Sequence, residues 1–275
     1  MEGFFQIMAW PFLACLILAG IHAYLGLHVI EREVIFVDLA LAQIAALGAS
    51  VALLFGHGLD SAGSYWISLG FTLVGAAVFS LTRFKKQRIP QEAMIGITYA
   101  VSSALLVMIL SRSGEGDEHI RQTLVGNLLL ISPAEVIKIA VIYTGVGAFH
   151  YLFRKRFLLI SQNPGKAYEE GVRIRFWDFL FYASFGFVVT SSVKIAGVLL
   201  VFSFLVVPSA CAVLFYEAPK ARLFLGWSLG FLASVLGMAL SYYWDFPTGA
   251  SVVCVFGGIL AVCLAVSLIS SRCLR

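Results

Sequence analysis

The sequence predicts an all-α polytopic membrane protein, and three observations carry that class. Hydrophobic residues make up 60% of the 275, charged residues only 12%, and the mean hydropathy is +0.94. A soluble domain carries about twice that charge fraction and covers its surface with polar groups that are scarce here. The charges are also clustered, leaving long apolar runs between the clusters. Backbone amides in lipid have to be paired within their own segment, so such runs form helices. The short segments of alternating polarity that mark a membrane barrel are not seen.

A crossing takes about 20 apolar residues. With that window nine spans are expected, at 9–30, 34–56, 65–82, 93–111, 136–153, 176–191, 195–216, 223–244 and 248–271. Only Ser191, Ser192, Val193 and Lys194 separate the sixth from the seventh, so merging them gives eight. The run at 124–132 is too short to cross and predicts a re-entrant or interfacial turn. Fifteen of the 19 Lys and Arg residues fall in one set of loops, including 83–88 and 154–175. The positive-inside bias makes that side cytoplasmic, with the N-terminus out and the C-terminus in. The first ten residues lack a basic n-region, so the first run is expected to stay as a helix.

Between the fifth and sixth spans lies the longest cytoplasmic loop, 154–176. Its middle, PGKAYEEG, starts with proline and ends with glycine, the asymmetry of a short helix. Acidic Glu169 and Glu170 amid basic neighbours give it the character of a docking surface. Neither HExxH nor a Walker A motif occurs; Asn163-Pro164-Gly165-Lys166 lacks the upstream glycine of a phosphate cradle. No enzymatic constellation is read, and any energy for transport has to come from a gradient or another subunit. The five cysteines form no CxxC pair and read as apolar packing residues. The net charge of +4 gives no reason to expect nucleic acid as a partner; lipid is the expected surroundings.

Polar groups inside a span are costly, and each is a functional candidate. His28, Lys138, His150 and Asp178 stand close enough to span ends to snorkel. His22, Asp38 and Gln43 lie deeper. Asp38 and Gln43 point about 140° apart on a regular helix, so they do not converge on one ion; a polar packing cluster competes with a metal path. On the outer side, His57, Asp60, the GEGDEH run at 114–119 and Asp245 form an acidic mouth that attracts cations. The spacing of Gly226 and Gly230 predicts close helix contact.

Six segments in order resemble the permease family of zinc-, manganese- and iron-type ABC importers. They are FVDLALAQIAALG at 36–48, RIPQEAMIGITYAVSSALLVMIL at 88–110, LVGNLLLISPAEV at 124–136, NPGKAYEEGVR at 163–173, SVKIAGVLLVFSFLVVPSACA at 192–212 and DFPTGASVV at 245–253. The family's span-2 histidine falls on Gln43 and its aspartate on Leu39, so the cargo metal does not carry over with the resemblance.

The resemblance implies one permease domain over 1–275, a bundle like that of vitamin B12 and metal importers, in a bacterial inner membrane. Two copies would form the pathway. A cytoplasmic ATPase would carry the ATP, and an extracytoplasmic binding protein would deliver a divalent metal that this chain does not keep as a cofactor. The coupling segment 163–173 would meet the ATPase through Asn163, Pro164, Ala167, Glu169, Glu170 and Gly171. His22, Asp38, Gln43, His57 and Asp245 would line the ion path, and Gly197 and Pro208 would let helices bend. The alternative is an ion-coupled secondary transporter of a small solute, which needs intramembrane acids and usually an internal repeat.

Overall fold

The computed structural model describes residues 2–58, 61–83, 89–111 and 124–273, and no strand occurs among them. The helices are α1 Glu2–Glu31, α2 Val37–Leu54, α3 Ala62–Leu81, α4 Gln91–Leu110, α5 Pro133–Leu152, α6 Arg154–Gln162, α7 Pro164–Glu169, α8 Ile174–Phe215, α9 Pro219–Trp244 and α10 Thr248–Cys273. Eight of them, all but α6 and α7, are long and apolar enough to cross a membrane. The expected spans therefore recur within a few residues, except that the sixth and seventh run together as α8.

The break in α8 is not where the sequence reading puts it. Ser191 and Ser192 stay helical because their hydroxyls donate back to Phe187 O and Val188 O, both at 2.8 Å. Gly197 instead takes φ 75° and ψ 161°, a left-handed conformation that only glycine adopts cheaply. Each side of it is long enough to cross, about 34 Å and about 27 Å at 1.5 Å per residue.

By contacts the chain divides into two compact units. The first holds residues 1–30, 124–143 and 195–275; the second holds 31–123 and 144–194.

Small residues let helices approach in the first unit. Gly26 lies against the backbone of Leu205, Gly230 against Ala19 and Gly237 against Val252, leaving no room for a Cβ. The close contact read from Gly226 and Gly230 is present, Gly226 resting on Ala23 and Pro208. Trp227 Nε1 donates to Gly20 O at 2.9 Å, and Phe204 meets Phe256 edge-on at 5.0 Å. The run at 124–132 is a turn rather than a span: Gly126 has φ 68°, Asn127 N donates to Ile195 O at 3.0 Å, and a 3₁₀ turn follows at Leu128–Leu130. Its Gly126 lies backbone to backbone with Gly197, while Gly249 packs on Val125 O. Three of the six family-like segments thus meet at one place.

In the second unit α2 is the buried element, with Gly48 on Ser68 of α3 and Gly75 on Ile44. Thr72 and Thr190 hydroxyls share a hydrogen bond of 3.1 Å, and Gly186 gives Thr72 its space.

Candidate functional site

The loop after α5 builds a compact platform in the second unit. Asn163 caps α7, its Oδ1 accepting the Lys166 amide at 3.0 Å, and Pro164 occupies the first helical position where no N–H is needed. At the other end Gly171 takes φ 68°. Val172 N then reaches Ala167 O at 3.0 Å and Gly171 N reaches Tyr168 O at 3.2 Å, the paired bonds of a Schellman ending. Ala167 is fully buried against Ile160 of α6 and Ile174 of α8, with Val172 and Trp177 closing the cluster. Glu169 and Glu170 stay exposed. The 4.0 Å Lys166–Glu170 pair is exposed and adds little stability. A helix of six residues is thus held at both ends, and its free face carries Lys166, Glu169 and the C-cap Glu170.

Beside this platform sits a buried ion cluster. Arg32 Nη1 donates to Asp178 Oδ1 at 2.6 Å, and Arg83 Nη1 donates to both Asp178 oxygens at 2.9 and 2.8 Å. Arg32 Nε donates to Ser161 Oγ of α6 at 2.8 Å, and its guanidinium lies 4.0 Å from the centre of the Phe181 ring. Burial works against the Arg83 charge, but attraction to Asp178 outweighs it and holds that pKa above the ordinary arginine value. Two guanidinium groups and one carboxylate leave a net positive charge in the interior. Next to it Gln91 Nε2 donates to Tyr182 Oη at 3.0 Å and Phe79 O at 3.1 Å. The cluster ties the turn after α1, the end of α3, α6 and the start of α8 together, beside the seat of α7.

Three residues read as snorkelling do not snorkel. Asp178 is completely buried in the ion cluster. His150 is buried, stacked on Phe157 at 4.3 Å with its Nε2 on Ser184 Oγ at 2.8 Å. His28 is buried against Tyr24. Lys138 is exposed. The signal available in the sequence was an acid at the start of a span with arginines just past the ends of two others, since an intramembrane acid needs a partner.

The expected ion-path residues do not come together as one set. His22 belongs to the first unit: its Nδ1 is 2.8 Å from Leu18 O, Tyr143 lies edge-on at 6.0 Å, and Nε2 is buried with no partner. Asp38 and Gln43 are buried in α2 of the second unit. His57 is exposed beyond α2, its ring over Gly63, and Asp245 is exposed at the α9 C-cap with φ 55°. Asp60 and 114–119 lie outside the described residues. Among the described residues no three His, Cys, Asp or Glu side chains group to hold a metal ion.

Pro208 lies inside α8, where its missing N–H leaves a carbonyl one turn back without a helical donor. Its neighbour Ser209 Oγ donates across to Ala23 O at 3.3 Å. The sequence GWSLG at 226–230 spells the serine-elbow pattern. Ser228 is mid-helix in α9 and its hydroxyl donates to Phe224 O at 2.9 Å, so no strand-to-helix turn presents it as a nucleophile.

Residues 4–267 match the ABC 3 transport family. The chain belongs to that family. As an ABC 3 transport protein it is a multi-pass membrane protein, in keeping with its eight apolar helices. It is 26% identical over 199 residues to the manganese transport system membrane protein MntC of Listeria innocua, covering 70% of each chain. Over 268 residues it is 24% identical to the "Probable iron transport system membrane protein" of Haemophilus influenzae, covering 98% of this chain and 96% of the relative. Among solved structures, PsaBC from Streptococcus pneumoniae in complex with Fab superposes with a TM-score of 0.78 at 19% identity, over 95% of this chain and 94% of that one. That likeness shows the shared fold.

Proposed function

We propose that this ABC 3 family chain is the permease subunit of an ATP-driven importer for a divalent transition metal ion in a bacterial plasma membrane. The observation that carries the reading is α7, a six-residue helix capped at both ends and seated on the first turn of a membrane helix. A short rigid helix with an exposed charged face is suited to pass a push from a partner into the bundle. Manganese and iron in the names of relatives support the cargo class.

In this mechanism residues 1–275 act as one permease domain and two copies frame the pathway. An ATPase sits under each copy against Asn163, Pro164, Glu169 and Glu170, with the N-terminus outside and the C-terminus inside. Closure of the ATPases around ATP moves α7, and the buried Ala167 carries that motion into α6 and α8. Gly197 and Pro208 are the positions where α8 bends most easily. A binding protein delivers the ion from outside, near His57 and Asp245. Hydrolysis belongs to the ATPase; this chain supplies the path and the gate.

The test is uptake of radioactive manganese and iron into vesicles holding the permease, its ATPase and its binding protein. Uptake that requires ATP and all three components is expected. Uptake by this chain alone, driven by a proton gradient, would mean an ion-coupled secondary transporter instead.

A further inference from the structure

We propose that Arg32 is a positioning residue for transport: its guanidinium passes displacement of the α7 seat on to the start of α2. The inference rests on the import reading and extends it, because that reading follows the push only as far as α6 and α8.

Ala167 of α7 is buried between Ile160 of α6 and Ile174 of α8. The residue after Ile160 is Ser161, whose Oγ accepts from Arg32 Nε at 2.8 Å. One helical turn past Ile174 is Asp178, whose Oδ1 accepts from Arg32 Nη1 at 2.6 Å. Both walls of the α7 seat are therefore bonded to a single guanidinium, on a side chain only 1% exposed. A guanidinium is planar and holds its donors at fixed angles, so it links two partners in a way that a lysine ammonium, a point charge, does not. The Phe181 face beneath it also belongs to α8. Nη2 is buried with no hydrogen-bond partner among the described residues, so no third element anchors the group against motion of the seat.

On its other side Arg32 opens the short turn into α2, and that turn has little slack. Glu33 takes φ 57°, a left-handed conformation that is costly for a residue with a Cβ and persists where its surroundings over-determine it. The neighbours on either side, Arg32 and Val34, are both buried. Val37 N donates to Val34 O at 3.1 Å, and Phe36 N donates to Glu92 Oε1 of α4 at 2.9 Å. Beyond the turn, α2 is the most deeply buried of the eight spans. It packs on α3 through Gly48 and on α4 through Ala46, so a shift at its start reaches three spans.

The test is the number of metal ions moved per ATP hydrolysed. Radioactive manganese and iron uptake and phosphate release are measured together in vesicles holding the permease, its ATPase and its binding protein. Poor folding lowers both rates in step and leaves their ratio, whereas a broken link lowers the ratio. Ser161→Ala removes the bond to α6 and leaves the Asp178 pair; Arg32→Lys keeps the charge and loses the fork. Each should lower the ratio by at least about 5-fold, the low end of coupling between two sites. Ser184→Ala deletes a hydroxyl bonded to His150 in the same unit and should keep the wild-type ratio. If Arg32→Lys does not assemble, Ser161→Ala decides alone. A wild-type ratio in Ser161→Ala, or an equal fall in Ser184→Ala, overturns the proposal while the import reading stands. Wild type without ATP-driven uptake overturns the import reading itself, and the relay with it.

Discussion

Removing the Asp178 charge is the most informative perturbation of the ion cluster. Asp178→Asn keeps the shape and leaves two guanidinium groups, with side-chain exposures of 1% and 9%, facing each other uncompensated. The carboxylate accepts three hydrogen bonds, at 2.6, 2.9 and 2.8 Å. At ~1.5–3 kcal/mol each they would total about 5–9 kcal/mol if independent. They share one acceptor, so they do not add, and the amide oxygen retains part of them. Removing one partner of a buried pair costs about 3–5 kcal/mol, which is the better guide. For a chain of 275 residues that lowers the melting temperature by about 5–9 °C. The assay is tryptophan fluorescence during heating in detergent at a fixed rate. The triple replacement Arg32→Met/Arg83→Met/Asp178→Leu should recover most of the loss, because the desolvation penalty goes with the charges. A single variant that melts within about 2 °C of wild type, or a triple as unstable as the single, refutes the reasoning.

Other perturbations separate backbone strain from steric contact. Gly126→Ala and Gly197→Ala each place a methyl into the facing backbone as well as at positive φ, so folded yield by fluorescence size-exclusion should collapse. Gly171→Ala meets nothing within 4 Å and bears only the conformational cost of φ 68°, about 1–2 kcal/mol, so its yield should stay near wild type. Asn163→Ala removes the α7 cap; a loss of about 1 kcal/mol should speed amide exchange across 164–169 about fivefold. Gly237→Leu forces α9 off Val252 and should melt well below Gly257→Leu, whose Cβ would meet nothing within 4 Å.

What could be read from the sequence was what neighbouring residues encode. Span positions follow from apolar runs, and the α7 boundaries follow from Asn163 and Pro164 at one end and Gly171 at the other. The ion cluster could not be read this way, because Arg83 and Arg32 lie 95 and 146 residues from Asp178. A loop-charge census assigns both arginines to the cytoplasmic face and stops there. The α8 break was misplaced for a related reason: Ser191 and Ser192 look polar as letters, but a serine in a helix satisfies its hydroxyl on its own carbonyls. Polar residues in these helices thus fall into an order. His22 leans on Leu18 within its own turn, and Asp178 is answered completely by distant arginines. His22 Nε2, Asp38 Oδ1 and Glu92 Oε2 nonetheless stay buried without a hydrogen-bond partner, which no run of neighbouring letters signals.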